Sequence, residues 1–369
     1  MKTIVVSVTN DLVVDQRVHK VCTTLQEMGF SIHLVGRKLK NSLSIHRNYK
    51  TTRIKLLFNK GPLFYAEYNF RLFWFLLFTK KDILLSNDLD TLLPNFLVSK
   101  ICHKPIVYDS HELFTEVPEL IHRPRIQKIW LTIEQFIFPK LKDVFTVNQL
   151  IADIYFDKYK VPIKVLRNIA PKYYFKTVDK KFEQKVKGDS KMLILQGAGI
   201  NIDRGGEEAV EMMRYVNGAV LYVIGSGDVF PLLQKIVDKY QLQNKVFLLG
   251  RRPYDELMTY TKIADIGLSL DKNTNLNYEY SLPNKVFDYI QAETPLLVSA
   301  RRVVAKLVND ENIGEVISHH NPEKMAKKVM EMLDSPKYRV WKENLKISAQ
   351  KYNWEKESEV IKQVYSKFL

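Results

Sequence analysis

The run from Ile4 to Val8 has the length and composition of a buried strand, and the residues after it change period. Val18, Cys22, Leu25 and Met28 recur at helical spacing, Gly29 closes that segment, and Ile32 to Val35 reads as a second strand. This predicts a βαβ unit. Apolar runs at Ile83-Leu84-Leu85, Ile106-Val107-Tyr108 and Val144 to Val147 alternate with helical segments, as in a doubly wound parallel sheet. The pattern restarts in the second half, at Met192 to Leu195, Val220 to Ile224, Val246 to Leu249, Ile266 to Leu270 and Leu296 to Ser299. The expected fold class is therefore α/β with two Rossmann-like domains. The segment Arg167-Asn168-Ile169-Ala170-Pro171 is a polar, proline-bearing connector, so the boundary is expected between Val165 and Pro171, with a first domain over 1–168.

Length agrees with that division, because 369 residues exceed the size at which a single core keeps growing, and 46% hydrophobic residues suffice to pack two. The N-terminal apolar run is too short for a signal peptide, and no segment reaches the ~18 uninterrupted apolar residues of a membrane span. Cys22 and Cys102 lie in apolar helical contexts far apart in sequence, which favours buried thiols over a bridge or a metal site. A cytoplasmic location is expected.

The net charge of +15 is uneven: residues 1–170 hold 25 Lys and Arg against 15 Asp and Glu, or +10, leaving +5 for the remainder. Within 31–60 there are eight basic residues (Arg37, Lys38, Lys40, Arg47, Lys50, Arg53, Lys55 and Lys60) and no acid. Such a stretch attracts polyanions. It lacks a nucleic-acid reader signature, and the aromatic segment Leu63 to Phe78 beside it points instead to an anionic membrane surface. The competing expectation is that those aromatics pack a helix against its own sheet.

Glycine separates the halves. Eight of the 14 fall between Gly197 and Gly250, whereas the first loop, Thr9 to Asp15, has none. The dinucleotide fingerprint is thus absent where a dehydrogenase would carry it, which disfavours a nicotinamide cofactor. Gly197-Ala198-Gly199-Ile200-Asn201-Ile202-Asp203-Arg204-Gly205-Gly206 follows one expected strand and precedes a helix. It places flexible backbone and a guanidinium where open α/β sheets bind ligands. Gly225 ends the next strand, and Gly250-Arg251 the one after. In Tyr278-Glu279-Tyr280-Ser281-Leu282-Pro283-Asn284-Lys285-Val286-Phe287-Asp288-Tyr289, a turn leads into a helix. The first N–H groups of that helix can face a phosphate, with Lys285 adding charge and Asp288 an acceptor for a sugar hydroxyl.

This last stretch resembles the nucleotide-sugar signature of retaining glycosyltransferases of the GT-B fold, glycosyltransferase family 4, in their S-P-N-K-hydrophobic-F-E-Y variant. The resemblance spans nearly the whole chain. It implies two Rossmann-like domains facing each other across a cleft: an acceptor domain over 1–168, a donor domain over 169–350, and a tail over 351–369 that crosses back to the first. It implies a donor site formed by Gly197, Gly199, Arg204, Gly205, Gly225, Gly250, Arg251, Ser281, Leu282, Pro283, Asn284, Lys285 and Asp288. Arg204-Gly205 stands where the family more often has Lys-Gly on the diphosphate, and Gly250-Arg251 near the base. Asp288 takes the place of the family's second acid, on the ribose. Eight positions earlier is Tyr280, not an acid, so the first carboxylate is carried onto the adjacent Glu279.

In the first half, Asp109-Ser110-His111-Glu112 resembles the family's D-x-H-E turn, with His111 facing the reacting sugar and Asp109 or Glu112 orienting it. Asp15-Gln16-Arg17-Val18 resembles its opening loop, and the resemblance implies an acceptor site formed by Asp15, Arg17, Asp109 and Glu112: Arg17 would reach phosphate or acceptor, while a helix cap explains Asp15 almost as well. Asp88-Leu89-Asp90 invites a metal reading, but two similar halves with Arg and Lys placed for the phosphates make metal unnecessary, and Asp88 or Asp90 is expected to cap a helix near Thr91. The implied function is transfer of a glycosyl unit from a nucleoside-diphosphate sugar to a glycan or lipid-linked acceptor at the inner membrane face, as a step in polysaccharide or cell-envelope glycan biosynthesis. No cofactor, metal or nucleic acid is required, and His111, Glu279, Arg204 and Lys285 carry the chemistry. The alternatives are a nucleotide-sugar epimerase of the same fold and a non-catalytic polyanion-binding protein.

Overall fold

The computed structural model describes residues 1–13, 15–40, 42–175 and 179–369. They form two compact units, 1–168 with 357–369, and 169–356. The chain re-enters the first unit at Glu357, a little beyond the tail start expected at 351.

The first unit runs β1 (Thr3–Asp11), α1 (Gln16–Glu27), β2 (Ser31–Lys38), β3 (Lys50–Lys55), α2 (Gly61–Phe78), β4 (Ile83–Asn87), α3 (Leu89–Cys102), β5 (Ile106–Ser110), α4 (Pro118–Ile121), α5 (Pro124–Ile137), β6 (Asp143–Thr146), α6 (Gln149–Tyr159) and β7 (Lys164–Val165). Its sheet is parallel throughout, in the order β3-β2-β1-β4-β5-β6-β7. β4 is buried at every position, because strands covered by helices on both faces carry apolar residues without alternation. Edge strands do not. β3 is Lys-Thr-Thr-Arg-Ile-Lys, lies at the edge of the sheet beside β2, and falls inside the basic stretch that carried no strand signal.

α2 divides its aromatic residues between two faces. Phe64, Tyr68, Leu72 and Leu76 are buried against Val5, Val35 and Leu84 of the sheet, while Phe70, Trp74 and Phe78 are exposed. The expectation of core packing therefore holds for one face only. Cys22 is buried and Cys102 partly so, both as free thiols.

The second unit runs α7 (Lys180–Lys187), β8 (Lys191–Gly197), α8 (Gly206–Met212), β9 (Ala219–Gly225), α9 (Phe230–Lys239), β10 (Val246–Gly250), α10 (Tyr254–Ile263), β11 (Ile266–Ser269), α11 (Leu276–Tyr280), α12 (Asn284–Gln291), β12 (Leu296–Ser299), α13 (Arg302–Glu311), β13 (Gly314–Ile317), α14 (Pro322–Leu333) and α15 (Tyr338–Lys351). α16 (Trp354–Glu357) then leads to α17 (Glu359–Tyr365) of the first unit. The second sheet, β10-β9-β8-β11-β12-β13, repeats the strand order of the first. Both are doubly wound Rossmann sheets. Each reverses its winding beside its first strand, between β1 and β4 and between β8 and β11, and ligands of such sheets bind at the strand ends there. β13, a short edge strand of sequence Gly-Glu-Val-Ile, was not anticipated.

Within the first unit, α17 packs on α1 with Tyr365 against Phe30, and Arg167 forks onto Glu357 through Nε and Nη2, at 3.1 and 2.8 Å from Oε2. No helix among the described residues is long and apolar enough to cross a membrane.

Candidate functional site

In the second unit, Asp271 lies just past the end of β11 and is fully buried. Three cations converge on its carboxylate. Arg301 Nη2 is 3.1 Å from Oδ2, Arg204 Nη1 is 3.5 Å from Oδ1, and Lys285 Nζ is 3.7 Å from Oδ1. Arg301 follows β12 and is 1% exposed; its Nη1 donates to the Tyr278 carbonyl at 2.6 Å and to Ser281 Oγ at 2.7 Å. The turn that opens α12 is thereby tied to the end of β11. Arg204 lies over the Tyr278 ring, 4.2 Å from its centroid, and its buried Nε has no hydrogen-bond partner among the described residues.

Burial opposes ionisation of Asp271, but Lys285, Arg301 and Arg204 outweigh it and hold the carboxyl below its usual range. Burial lowers Lys285, and Asp271 offsets this incompletely because Arg204 and Arg301 push the same way. Arg301 is lowered by burial too. Three cations around one carboxylate leave two positive charges uncompensated within the group.

The loops around this group fit closely. Gly205 has φ +73°, and a Cβ there would sit 2.4 Å from the Leu270 carbonyl oxygen, so only glycine lets the Arg204 loop press on the end of β11. Gly197, Gly225 and Gly250 end β8, β9 and β10, with Gly199 in the loop after β8. Arg251 Nε donates to Ser226 Oγ at 2.8 Å, and Ser226 donates to the Ala198 carbonyl at 3.1 Å. Ser281, Leu282 and Pro283 form the turn into α12; Asn284 is its first residue, and Pro283 provides no side-chain cap. Asp288, one turn into α12, accepts from Gln196 Nε2 and from the Tyr254 hydroxyl, both at 2.9 Å. Glu279 lies on α11 with Oε1 3.3 Å from Arg302 Nε, while its buried Oε2 has no hydrogen-bond partner among the described residues.

The first unit holds a second polar cluster, at the ends of β1, β4 and β5. Arg17, buried on the first turn of α1, donates to Asp109 through Nε at 3.1 Å and Nη2 at 2.7 Å. His111 has one ring nitrogen 3.2 Å from Asp109 Oδ2 and the other 3.1 Å from Asp88 Oδ2. Burial alone would lower His111, but Asp88 and then Asp109 outweigh it and push it up to about 10. Burial raises Asp109, yet Arg17 and His111 bring it well below the usual carboxylate range. The imidazole is thus a cation held between two carboxylates.

Asp15 caps α1, its Oδ1 accepting from the Val18 N–H at 3.1 Å. The Glu112 carbonyl accepts from Ser110 Oγ at 3.0 Å. The capping expected of Asp88 or Asp90 is corrected. Asp88 occupies the N-cap position of α3 without a side-chain cap, and its Oδ1 accepts the His111 N–H instead, at 2.8 Å. Asp90 lies inside the first turn, accepts from the Thr9 hydroxyl at 2.5 Å, and is pushed up to about 8 by burial and then by Asp88. Among the described residues no group of three or more His, Cys, Asp or Glu could hold a metal ion.

Asp271, Arg301, Gln196 and Tyr254 were not anticipated from the sequence. The available signal was position, since Asp271 and Arg301 each fall two residues past a wholly buried strand, where ligands of such sheets bind.

The family described as "Glycosyl transferases group 1" matches residues 177–364, just over half of the chain. No curated protein matches it in sequence. Sucrose-phosphate synthase from Thermosynechococcus elongatus superposes with a TM-score of 0.80 at 16% identity, covering 100% of this chain and 99% of that one. HepE of Anabaena, in complex with UDP, superposes at 0.74 and 13%, covering 100% of both chains. WaaG, a glycosyltransferase involved in lipopolysaccharide biosynthesis, does so at 0.70 and 15%, covering 98% of both. At these identities the likeness establishes the GT-B fold.

Proposed function

This chain belongs to the glycosyl transferases group 1 family, and we propose that it moves a glycosyl unit from a nucleoside-diphosphate sugar to a hydroxyl of a glycan or lipid-linked acceptor, with retention at the anomeric carbon. The observation that carries this reading is the charge surplus around Asp271. Buried charge without a counter-ion is costly, so two uncompensated positive charges at strand ends call for a dianion, and the diphosphate of a nucleotide sugar supplies two negative charges. HepE, of the same fold, is described in complex with UDP-glucose, which supports the same ligand class.

In this reading Arg204 and Lys285 oppose the charge that grows on the leaving diphosphate, the kind of electrostatic term that dominates many enzymes. Arg301 positions them through Asp271 and holds the Ser281 turn. Asp288, oriented by Gln196 and Tyr254, accepts from the ribose, and Glu279 lies toward the donor sugar. His111 is held as a cation with one ring nitrogen on Asp88 and the other on Asp109, so it contributes positive charge beside the reacting sugar, would contact a sugar hydroxyl only by releasing one of those carboxylates, and does not act as the base. Arg and Lys side chains take the place a metal would have. We further propose that the chain is of glycosyltransferase family 4, in its S-P-N-K variant, and acts in glycan biosynthesis.

The experiment is a thermal-shift screen of UDP-, GDP- and ADP-sugars followed by product analysis with saccharide acceptors. A ligand that binds only the folded state raises apparent stability. Stabilisation by one nucleotide series and acceptor-dependent transfer with retained anomeric configuration is the expected result. Epimerised donor formed without acceptor would replace the reading with an epimerase, and no stabilisation by any nucleotide would end it.

A further inference from the structure

Helix α2 has an unusual composition for a helix on a protein surface. It is apolar nearly all round, a pattern suited to burial on every side, yet one face is open. Phe70, Trp74 and Phe78 are 65%, 44% and 79% exposed, and they touch in a row, with ring centroids 6.2 Å apart edge-on and then 5.8 Å apart stacked. α2 packs beside α3, and α3 beside α5, while Tyr65 of α2 meets Trp130 of α5. These neighbours are open in the same way, through Ile101 on α3 and Phe136 on α5.

Charge surrounds this layer almost wholly with one sign. Between residues 60 and 140, eight Lys and Arg are exposed against one acid, Glu119. Lys100 and Lys140 lie over aromatic rings of the layer, Lys140 Nζ being 3.2 Å from the centroid of Phe136 and Lys100 Nζ 5.3 Å from that of Phe96. By contrast, part of the more basic stretch before it is engaged. Lys50 to Lys55 form strand β3, Arg37 covers the Phe64 ring, and Arg53 is bonded to the Leu43 carbonyl and lies 3.6 Å from Asp11.

We propose that the α2–α3–α5 layer of the first unit is a docking surface for an anionic lipid bilayer, with Phe70, Trp74 and Phe78 entering the headgroup boundary and Lys100 and Lys140 meeting lipid phosphates. Aromatic side chains flanked by Lys and Arg suit that interface, where an apolar ring and a cation are both satisfied. A second copy of the same face is a poorer occupant, because it would set like charges against each other. The assignment is independent of which sugar is moved, and it shifts the membrane contact from the basic loop to the helical layer.

The test uses the full chain with vesicles of phosphatidylcholine, with and without phosphatidylglycerol, carrying brominated acyl chains. Trp74 is the exposed one of the four tryptophans, so its fluorescence reports the contact. The expected result is quenching with phosphatidylglycerol at low salt that is relieved at high salt. Phe70→Ser with Phe78→Ser should weaken binding at least about tenfold at an unchanged melting temperature, since both side chains are exposed, and Lys100→Gln with Lys140→Gln roughly tenfold. Unquenched Trp74 with anionic vesicles would overturn the proposal, as would a dimer in the absence of lipid that the two serine substitutions dissolve.

Discussion

Arg301 and Asp271 form a buried ion pair, Nη2 to Oδ2 at 3.1 Å, that joins the end of β12 to the end of β11. The other amino group of the guanidinium holds the Tyr278 carbonyl and Ser281 Oγ, so the pair also fixes the turn that leads to Lys285. The two partners are not equivalent. Without Arg301, Asp271 still faces Arg204 and Lys285; without Asp271, three cations face one another. Breaking a buried pair from one side costs about 3–5 kcal/mol because it leaves a charge uncompensated.

Asp271→Asn should therefore destabilise the protein more than Arg301→Met. A nucleoside diphosphate would then supply the missing negative charge. The rise in melting temperature on saturation with the diphosphate is expected to be larger for Asp271→Asn than for wild type. Calorimetric scans with and without ligand measure it, and equal rises would place the diphosphate elsewhere.

Arg204→Ala and Lys285→Ala should each weaken diphosphate binding and lower kcat by about 10²–10³, the range found when one stabilising donor of a developing oxyanion is removed. Both variants should fold, because Asp271 keeps two cations in each. Wild-type turnover in either would remove that residue from the phosphate site.

Asp288→Ala should weaken donor binding roughly ten- to a hundredfold, as expected for hydrogen bonds to a charged acceptor of about 1.5–3 kcal/mol. Tyr254→Phe removes one donor that orients this carboxylate and should have a smaller effect in the same direction. Isothermal calorimetry with the cognate nucleotide decides, and equal affinities would separate Asp288 from the ribose.

Strands were legible in the sequence where burial on both sides demands unbroken apolar runs, as at Ile83 to Leu85. They were not legible at β3, whose polar residues reflect an open edge, or at β13, where Gly314 and Glu315 leave an apolar run of only two residues, Val316 and Ile317. Arg204 and Lys285 could be read because they sit in recognisable loop and helix-start patterns. Asp271 and Arg301 could not, since a charged residue after a strand looks the same in sequence whether solvent or a partner from another strand awaits it. Asp88 shows the same limit. Asp at a helix start predicts a cap, but a pull from His111, more than twenty residues on, turned its carboxylate away.

Activity should be unaffected by a chelator and unimproved by manganese, because the cations at the strand ends of the second unit are Arg and Lys side chains. Initial rates in EDTA and after manganese addition provide the measurement. Loss in EDTA with recovery in manganese would return attention to Asp88 and Asp90.

The cluster around His111 should shape how stability varies with pH. His111 is raised from 6.5 to about 10 in the folded protein, so its contribution is complete below pH 6.5 and is lost as pH rises through 10. Asp109 is depressed, so its contribution is present above its ordinary value of 3.8 and is lost on acidification. Asp90 has the opposite sign to Asp109. Its carboxyl is raised from 3.8 to about 8, which favours the folded state below 3.8 and is lost progressively up to pH 8. Wild type should thus lose stability from pH 4 upward in two overlapping stages. Asp90→Asn, which retains a carbonyl to accept from Thr9, should remove the stage between pH 4 and 8, and His111→Gln the stage between 6.5 and 10. Melting temperatures across pH 4 to 10 for the three proteins test this. Parallel curves would mean that neither group titrates with these values, and that His111 is not held as a cation between Asp88 and Asp109.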